Sequence, residues 1–294
     1  FKALREQFIK NLHIDPPPIP ADPKILNLPA IELSRQCALL DTVPGVRDSA
    51  WSARTPITSE DVLTMEDVDQ AYGFILYRKL FENGVKGELK LGKALDYSIV
   101  MIDGQPVGRA FAGYGPQTFN MKVDHAGPCT LEILVYNLGR NSVGINQSIS
   151  RKGLNEDPTL DGKRLQGWQI FPLPLASPGE LPAVKTKSGP GPAFHRGTFT
   201  LNETGETYLD MRNWGFGVVW VNGHNLGRYW DVGACRSLYL PSVWQKQGEN
   251  EIVILELNDG APKREQVTGA TQLIVEPAVK FPLDAERDKK VTPE

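Results

Sequence analysis

An internal duplication constrains the fold of this chain more than any other feature. The segment Val100–Phe111 aligns without gaps to Val219–Trp230, so residue 100 corresponds to residue 219 and the offset is 119. In both copies an apolar run leads to Asp-Gly or Asn-Gly and returns through Gly-Arg to an aromatic end. Two further stretches match at or near this offset: Glu132–Val135 with Glu251–Ile254, and Tyr77-Arg78 with His195-Arg196. Three matches in register predict two copies of one structural unit.

The duplicated unit is predicted to be a β-sandwich. Asp-Gly and Asn-Gly are strong hairpin signals because both central residues of the turn can adopt positive φ. Elsewhere the chain consists of short apolar runs separated by turn residues, in line with its 28 glycines and 23 prolines. Such runs, with almost no amphipathic helix, indicate an all-β chain. One unit per ~120 residues fits the usual size of a domain.

The first residues follow a different pattern. Leu4, Phe8 and Leu12 recur at four-residue spacing and predict a helix over residues 1–13. The prolines at 16, 17, 18 and 20 then predict an extended linker. We therefore divide the chain into a helix and linker (1–47), a first β-sandwich (48–172) and a second (173–294). Because the chain starts without Met and its helix carries an apolar stripe, we expect a piece of a longer polypeptide that packs against a partner.

Composition excludes several classes of function. With 32 Lys+Arg against 35 Asp+Glu, the net charge of −3 provides no basic surface for nucleic acid or anionic lipid. No window approaches the roughly 20 apolar residues of a membrane-spanning helix. The three cysteines and four histidines lack metal-ligand spacing. No nucleophile elbow or phosphate-binding loop is present. We predict no metal, no cofactor and no catalytic residue in this chain.

Candidate ligand-binding residues lie on both sides of Asn222-Gly223, the turn of the second copy. Indole rings stack on the apolar faces of sugars, so an exposed Trp on a sandwich indicates saccharide binding. Trp220 lies inside an apolar strand and is predicted to be core. The substrate-binding candidates are Trp214, Asn222, Arg228, Tyr229 and Trp230. The alternative for these residues is purely structural, because hairpins of this kind often only complete a sheet.

Several long motifs resemble the family 35 glycoside hydrolases, the β-galactosidases. Those similar to the C-terminal signature of that family are Pro192–Phe199, Tyr208–Met211, Gly217–Trp230, Ser237–Pro241 and Gly248–Ile252. Those similar to its first β domain are Tyr72–Arg78, Asn137–Asn141 and Lys152–Leu154. The opening, with Ala3–Arg5 and Pro29–Leu33, resembles the linker that follows the family's catalytic barrel.

The resemblance implies two galactose-binding-like jelly rolls that follow a (β/α)₈ barrel. Family members cleave terminal β-D-galactosyl residues with retention, using two glutamates at strand ends of that barrel. The motifs that carry those glutamates are missing from this sequence, so no residue here inherits their roles. We therefore expect a non-catalytic C-terminal region that braces the barrel and contributes an aromatic contact to the substrate.

Two other functions stay open at this stage. A free-standing carbohydrate-binding module would bind galactosides without the barrel, and an oligomerisation scaffold would form a large complex without sugar affinity. The expected partners are the barrel of the same enzyme, a β-galactoside and, for the scaffold, further copies of the chain in a homo-oligomer; nucleic acid and membrane are not expected. The compartment stays open, with a secreted or periplasmic location among the options.

Overall fold

The computed structural model describes residues 2–12, 16–19, 21–42, 56–112, 118–140, 150–178, 191–258 and 266–274. The predicted all-β architecture is confirmed, because these residues form antiparallel sheets and one α-helix. The predicted N-terminal helix is also present, as α1 (Lys2–Leu12). No residue of α1 is buried, and Leu4, Phe8 and Leu12 are 57%, 45% and 52% exposed.

The strands follow α1 in chain order. The first part of the chain contains β1 (Ile31–Glu32), β2 (Ser34–Ala38), β3 (Ile57–Ser59), β4 (Phe74–Phe81), β5 (Gly84–Lys90), β6 (Ala94–Leu95) and β7 (Tyr97–Ile102). The middle contains β8 (Gln105–Phe111), β9 (Asn120–Ala126), β10 (Cys129–Tyr136), β11 (Gly153–Leu154), β12 (Thr159–Leu160), β13 (Lys163–Arg164) and β14 (Trp168–Leu173). The last part contains β15 (Ala193–Leu201), β16 (Thr207–Asp210), β17 (Phe216–Val221), β18 (His224–Trp230), β19 (Ser237–Leu240), β20 (Gly248–Glu256) and β21 (Gln266–Ala270).

The first sandwich packs a large sheet against smaller ones. Its six-stranded sheet has the order β3-β14-β4-β10-β7-β8. The sheet β13-β12-β5-β9 and the pair β11-β6 complete the sandwich. Apolar side chains from both layers, such as Ile75 and Tyr77 on β4 and Val85 and Leu89 on β5, form a common buried core.

The second sandwich is built from two separate parts of the chain. Its larger sheet has the order β18-β17-β20-β15-β2, and its smaller sheet has the order β1-β21-β16-β19. Strands β1 and β2 come from the segment expected to be helix and linker, so residues 31–38 are part of this sandwich instead. The backbone polar groups of an extended segment need partners when it is buried, and β15 and β21 supply them. The first sandwich is therefore inserted between β2 and β15 of the second.

The predicted duplication is visible in the two large sheets. Hairpins β7–β8 and β17–β18 both contain a bulge, between Val100 and Met101 and between Val219 and Trp220, at the offset of 119. Both turns have two positive φ values, 50° and 76° at Asp103-Gly104 and 50° and 82° at Asn222-Gly223. Sheet orders β14-β4-β10-β7-β8 and β2-β15-β20-β17-β18 therefore correspond strand for strand.

One of the three sequence matches is displaced by two residues. Leu131 pairs with Ile102, whereas Ile252 pairs with Val221, so β10 and β20 correspond at 252 − 131 = 121 and not at 119. A shift of two residues keeps every side chain on its original face of the sheet. The sequence match at 119, which aligns Glu132 with Glu251, therefore gives the correct faces but not the register, because Glu132 corresponds to Val253 in the structure.

The two large sheets pack against each other through an apolar cluster that lies between the two sandwiches, and we call this cluster the seam. Its buried members are Cys37, Leu39, Leu40, Phe74, Leu76, Tyr97, Ile99, Met101, Leu134, Phe171, Leu175, Phe194, Phe216, Val218, Trp220, Val253, Leu255 and Leu257. Strands β7 and β17 are buried at every position, because one face lies in the core of its sandwich and the other in the seam. This explains why neither strand shows an alternation of apolar and polar residues.

Candidate functional site

Asn222 occupies the turn of the β17–β18 hairpin and is fully engaged within the protein. Its Nδ2 donates to the carbonyl of Trp244 and to Oδ1 of Asn250, both at 2.8 Å. Its Oδ1 accepts a hydrogen bond from the backbone N–H of Glu251 at 3.0 Å. The side chain therefore connects the hairpin to β20 and to the corner before it. These contacts account for Asn at this position without a ligand.

Trp214 and Tyr229 lie in the interior of the second sandwich. Their side chains are 2% and 4% exposed, and their ring centroids are 6.3 Å apart. The indole N–H of Trp214 donates to the carbonyl of Gln266 at 3.1 Å. With both rings enclosed, neither presents a free face on which a sugar could stack in this conformation. The structure places these two candidates in the core.

A buried carboxylate that the sequence analysis did not single out lies beside Tyr229. Glu256, at the end of β20, accepts the backbone N–H groups of Gly215, Phe216 and Asn258 and the hydroxyl of Tyr229, at 2.7–3.1 Å. It is 3% exposed. The signal for it is a lone acidic residue within the apolar run Ile252–Leu257. Its contacts are structural, because they connect the end of β20 to the segment that leads into β17.

Arg228 and Trp230 lie on the same strand as Tyr229 but point toward the first sandwich. Trp230 is half-buried and stacks on Phe216 with centroids 4.4 Å apart, and its ring is perpendicular to that of Phe111, with centroids 5.2 Å apart. Arg228 is exposed, and its Nη1 donates to the carbonyl of Leu138 in the first sandwich at 3.2 Å. Both residues thus join the two sandwiches at the edge of the seam.

The electrostatics of this edge follow from burial. Burial raises the pKa of Tyr136 to about 12, and the nearby positive charge of Arg228 acts in the opposite direction. Tyr136 also stacks on Phe74 with centroids 4.2 Å apart.

The five candidate residues do not converge on one cleft. Asn222 lies at a turn, Trp214 and Tyr229 lie in a core, and the remaining two lie along the seam.

A buried ion pair in the first sandwich was also missed by the sequence analysis. Nζ of Lys152 lies 2.7 Å and 2.9 Å from the two carboxylate oxygens of Asp96, and the Lys152 side chain is 2% exposed. Asp96 further accepts the backbone N–H of Leu138 at 2.7 Å. Because each charge has a partner, the pair satisfies the requirements for burial. It connects the start of β7 to the segment that leads into β11.

A pocket of 510 Å³ opens on the six-stranded sheet of the first sandwich. It is lined by Thr58, Arg78, Leu80, Thr130, Glu132, Gly167, Trp168 and Gln169. Burial lowers the pKa of Arg78, and the negative charge of Glu132 partly offsets this effect. Arg78 and Glu132 are charged residues with buried side chains in strands whose other positions are mostly apolar, and this is the signal by which the sequence marks this site.

In the part of the chain that the structure describes, no group of three or more His, Cys, Asp or Glu side chains could hold a metal ion. The three cysteines are free thiols; Cys37 and Cys129 are buried and Cys235 is exposed. No helix among the described residues is long and apolar enough to cross a membrane.

Comparison with known protein families defines the class of these domains. Residues 62–174 match the model of the first all-β domain of β-galactosidases, and residues 192–250 match the model of their galactose-binding domain. The chain is therefore a tandem of β-sandwich domains of the glycoside hydrolase type. More particularly, it belongs to the β-galactosidase family and corresponds to its C-terminal β-sandwich region.

Individual relatives agree with this assignment. The chain is 37% identical over 240 residues to a β-galactosidase of Xanthomonas manihotis, covering 82% of this chain and 38% of the relative. It is 29% identical over 280 residues to β-galactosidase 1 of Dictyostelium discoideum, covering 87% and 41%. It is 31% identical over 251 residues to mouse β-galactosidase-1-like protein 3, covering 82% and 37%. The chain spans about two fifths of the length of these relatives.

Proposed function

We propose that this chain is the non-catalytic part of a retaining β-galactosidase that hydrolyses terminal β-D-galactosyl residues, and that it braces the catalytic (β/α)₈ barrel. The observation that carries the proposal is α1. Leu4, Phe8 and Leu12 share one side of this helix, and each is about half exposed. A helix of 11 residues is marginal in water unless an amphipathic face packs against something. The barrel is the partner that we assign to this stripe.

The double sandwich is well suited to a bracing role. The insertion of one sandwich into the other and the eighteen-residue seam hold the two β domains together. Domains joined by a large apolar interface do not move freely relative to each other. Because two of the relatives named above are β-galactosidases more than twice as long as this chain, we assign the role of partner to a barrel supplied by the same polypeptide.

We propose that Arg228 contacts the substrate. Trp230, which packs at the edge of the seam on the same strand, would hold Arg228 in position. Arg228 is the exposed member of the five candidates that lies at the edge of the seam. In a complete enzyme, Arg228→Ala would raise KM for galactosides if its guanidinium contacts the aglycone. An unchanged KM and kcat in that variant would remove substrate contact from the proposal and leave the bracing role intact.

A chimera tests the bracing role. This chain would replace the matching region of the Xanthomonas manihotis enzyme, and hydrolysis of a β-galactoside and the thermal midpoint would be measured. We expect the chimera to be active. The substitution Phe8→Glu should lower its thermal midpoint, because it places a charge in the docking surface. Val243→Glu, at a position that is 82% exposed on the second sandwich, is the matched control and should leave the midpoint unchanged. An active chimera that Phe8→Glu does not destabilise would contradict docking through α1.

A further inference from the structure

The pocket on the first sandwich lies where the seam ends. Along β4, Phe74 and Leu76 face the second sandwich and are buried in the seam. Arg78 and Leu80 follow on the same face, and Leu80 is 65% exposed. The cover provided by the second sandwich thus stops between Leu76 and Leu80, and the sheet beyond it forms the floor of the pocket. Its volume of 510 Å³ lies within the range of about 300–1,000 Å³ typical of small-ligand sites.

The most unusual group in the pocket is the guanidinium of Arg78. The residue is only 7% exposed, and its Nε and Nη2 are buried without any hydrogen-bond partner. The guanidinium carbon, Cζ, lies over the ring of Phe171 at 5.0 Å from the ring centroid, and this contact holds the side chain against the sheet. A buried donor without an acceptor is costly, and more so when it carries a charge. Nearly all such donors in folded proteins have a partner.

Residues of both hydrogen-bonding types surround Arg78 in the sheet. Glu132 on β10 and Gln169 on β14 are its direct neighbours in register. Oε2 of Glu132 accepts the backbone N–H of Gly104 at 3.0 Å, which fixes the carboxylate beside the pocket. Thr58, the neighbour of Gln169 on β3, adds a hydroxyl. Donors and acceptors therefore lie side by side on the pocket floor.

The duplication provides an internal comparison. Arg196 on β15 is the counterpart of Arg78, because Arg78 pairs with Glu132 and Arg196 pairs with Val253, at the offset of 121 that relates β10 to β20. Arg196 is 45% exposed and forms an ion pair with Glu251. Only the first sandwich therefore has, at this position, a buried arginine with two nitrogens that lack a hydrogen-bond partner. The shared fold does not require it.

We propose that this pocket binds a neutral, hydroxyl-rich ligand of saccharide size. A hydroxyl group is both acceptor and donor, so neighbouring hydroxyls can accept from Arg78 and donate to Glu132. An anionic ligand would face the carboxylate of Glu132, and a cationic ligand would face the guanidinium of Arg78. The exposed side chain of Leu80 offers an apolar edge to the C–H face of a sugar. This inference does not depend on a barrel partner, because it concerns the chain by itself.

Titration of the full 294-residue chain tests the proposal. Methyl β-D-galactoside and lactose serve as the probes, with acetate and methylammonium as the charged controls, and binding is followed through the NMR signals of Gly167, Gln169 and the Trp168 indole. We expect saturable shifts with the sugars only. Saturable shifts with acetate or methylammonium and none with the sugars, or no shifts at all, would overturn the proposal.

Two variants identify the site. Arg78→Met keeps the packing over Phe171 but removes the donors, and it should weaken sugar binding at least about tenfold. Leu80→Glu removes the apolar edge and places at the mouth of the pocket a carboxylate that competes for the donors of Arg78, so it should weaken sugar binding as well, even if Arg78→Met does not fold. Val243→Glu, at another exposed aliphatic position, is the matched control and should bind like the original chain. Sugar binding that Leu80→Glu leaves unchanged would place the ligand elsewhere and contradict the proposal.

Discussion

Single residues in this chain carry charges into places where hydrophobic burial alone would exclude them. Glu256 and the Lys152–Asp96 pair are enclosed and have partners, whereas two nitrogens of Arg78 have none. The difference separates structural charges from a functional candidate. A charge whose contacts are complete has no capacity for a ligand, and a charge with buried, unused donors does.

Glu256 should contribute strongly to stability because its oxygens accept four hydrogen bonds. Glu256→Gln keeps the shape but turns one acceptor oxygen into an amide donor that faces N–H groups. We expect the free energy of unfolding to fall by about 1.5–3 kcal/mol, as for hydrogen bonds to charged groups. Urea denaturation measures this. Glu249→Gln, on the exposed side of the same strand, is the control and should stay within about 0.5 kcal/mol. Equal effects of the two variants would contradict the structural role of Glu256.

Glu206 should make one part of the stability depend on pH. The hydroxyls of Ser242, at 2.6 Å, and of Tyr239 donate to its carboxylate, and they lower its pKa below the ordinary value of 4.5. A group whose pKa is depressed in the folded state stabilises the fold above its unfolded pKa and loses that contribution as the pH falls through the folded pKa.

Ser242→Ala tests this contribution. The variant should be less stable than the original chain at pH 6–7, and the difference should shrink as the pH falls below 4.5 and Glu206 becomes protonated. Urea denaturation between pH 2.5 and 7 measures the difference, with Thr200→Ala as an exposed hydroxyl control. A difference that stays constant down to the lowest pH would show that the hydrogen bond to the carboxylate is not its source.

At the scale of elements, the two hairpin turns depend on backbone conformations that few residues adopt. Gly223 has a φ of +82°, and a side chain at this position would find Ser177 Oγ no closer than 3.7 Å. The cost of Gly223→Ala is therefore conformational and should be roughly 1–2 kcal/mol. Gly223→Asn should cost less, because Asn tolerates the left-handed region. Thermal unfolding of both variants checks the order, and an Asn variant less stable than the Ala variant would contradict it.

The sequence predicts the hairpins better than it predicts the sandwich boundaries. Asp103-Gly104 and Asn222-Gly223 encode their turns locally, so the duplication could be recognised from residues close together in the chain. Strands β1 and β2 depend on β21 and β15, whose pairing residues lie more than 150 positions away. Nothing local in Ile31–Ala38 specifies which sheet it joins, and the prolines that precede it are typical of a linker.

The candidate site shows the same limit. The sequence leaves the exposure of Trp214 open, because this residue flanks a turn. Its burial is decided by strands distant in sequence, and the ring lies in a core. Trp220 was predicted to be core, and this is confirmed, because its apolar strand is informative by itself. The charge of Arg78 within a mostly apolar strand marks the residue in the sequence, but its missing hydrogen-bond partners are visible only in the structure. Hydrogen-bond satisfaction depends on three-dimensional neighbours and cannot be read from residue type.

At the scale of the whole molecule, the seam should make the two sandwiches unfold together. Leu255→Ala truncates a fully buried seam residue, and changes of this kind cost about 2–5 kcal/mol. We expect hydrogen exchange to accelerate both in β5 and β9 of the first sandwich and in β16 and β19 of the second. Val243→Ala, at an exposed position, should change neither. Faster exchange confined to the second sandwich would contradict a single cooperative unit.

The central claim is that this region supports a β-galactosidase without breaking glycosidic bonds itself. The most direct measurement is hydrolysis of a chromogenic β-galactoside by the purified 294-residue chain, produced in a host without its own β-galactosidase. We predict a rate equal to that of buffer, while the chimera with a barrel is active under the same conditions. Turnover that rises in proportion to the concentration of the isolated chain would contradict a non-catalytic role.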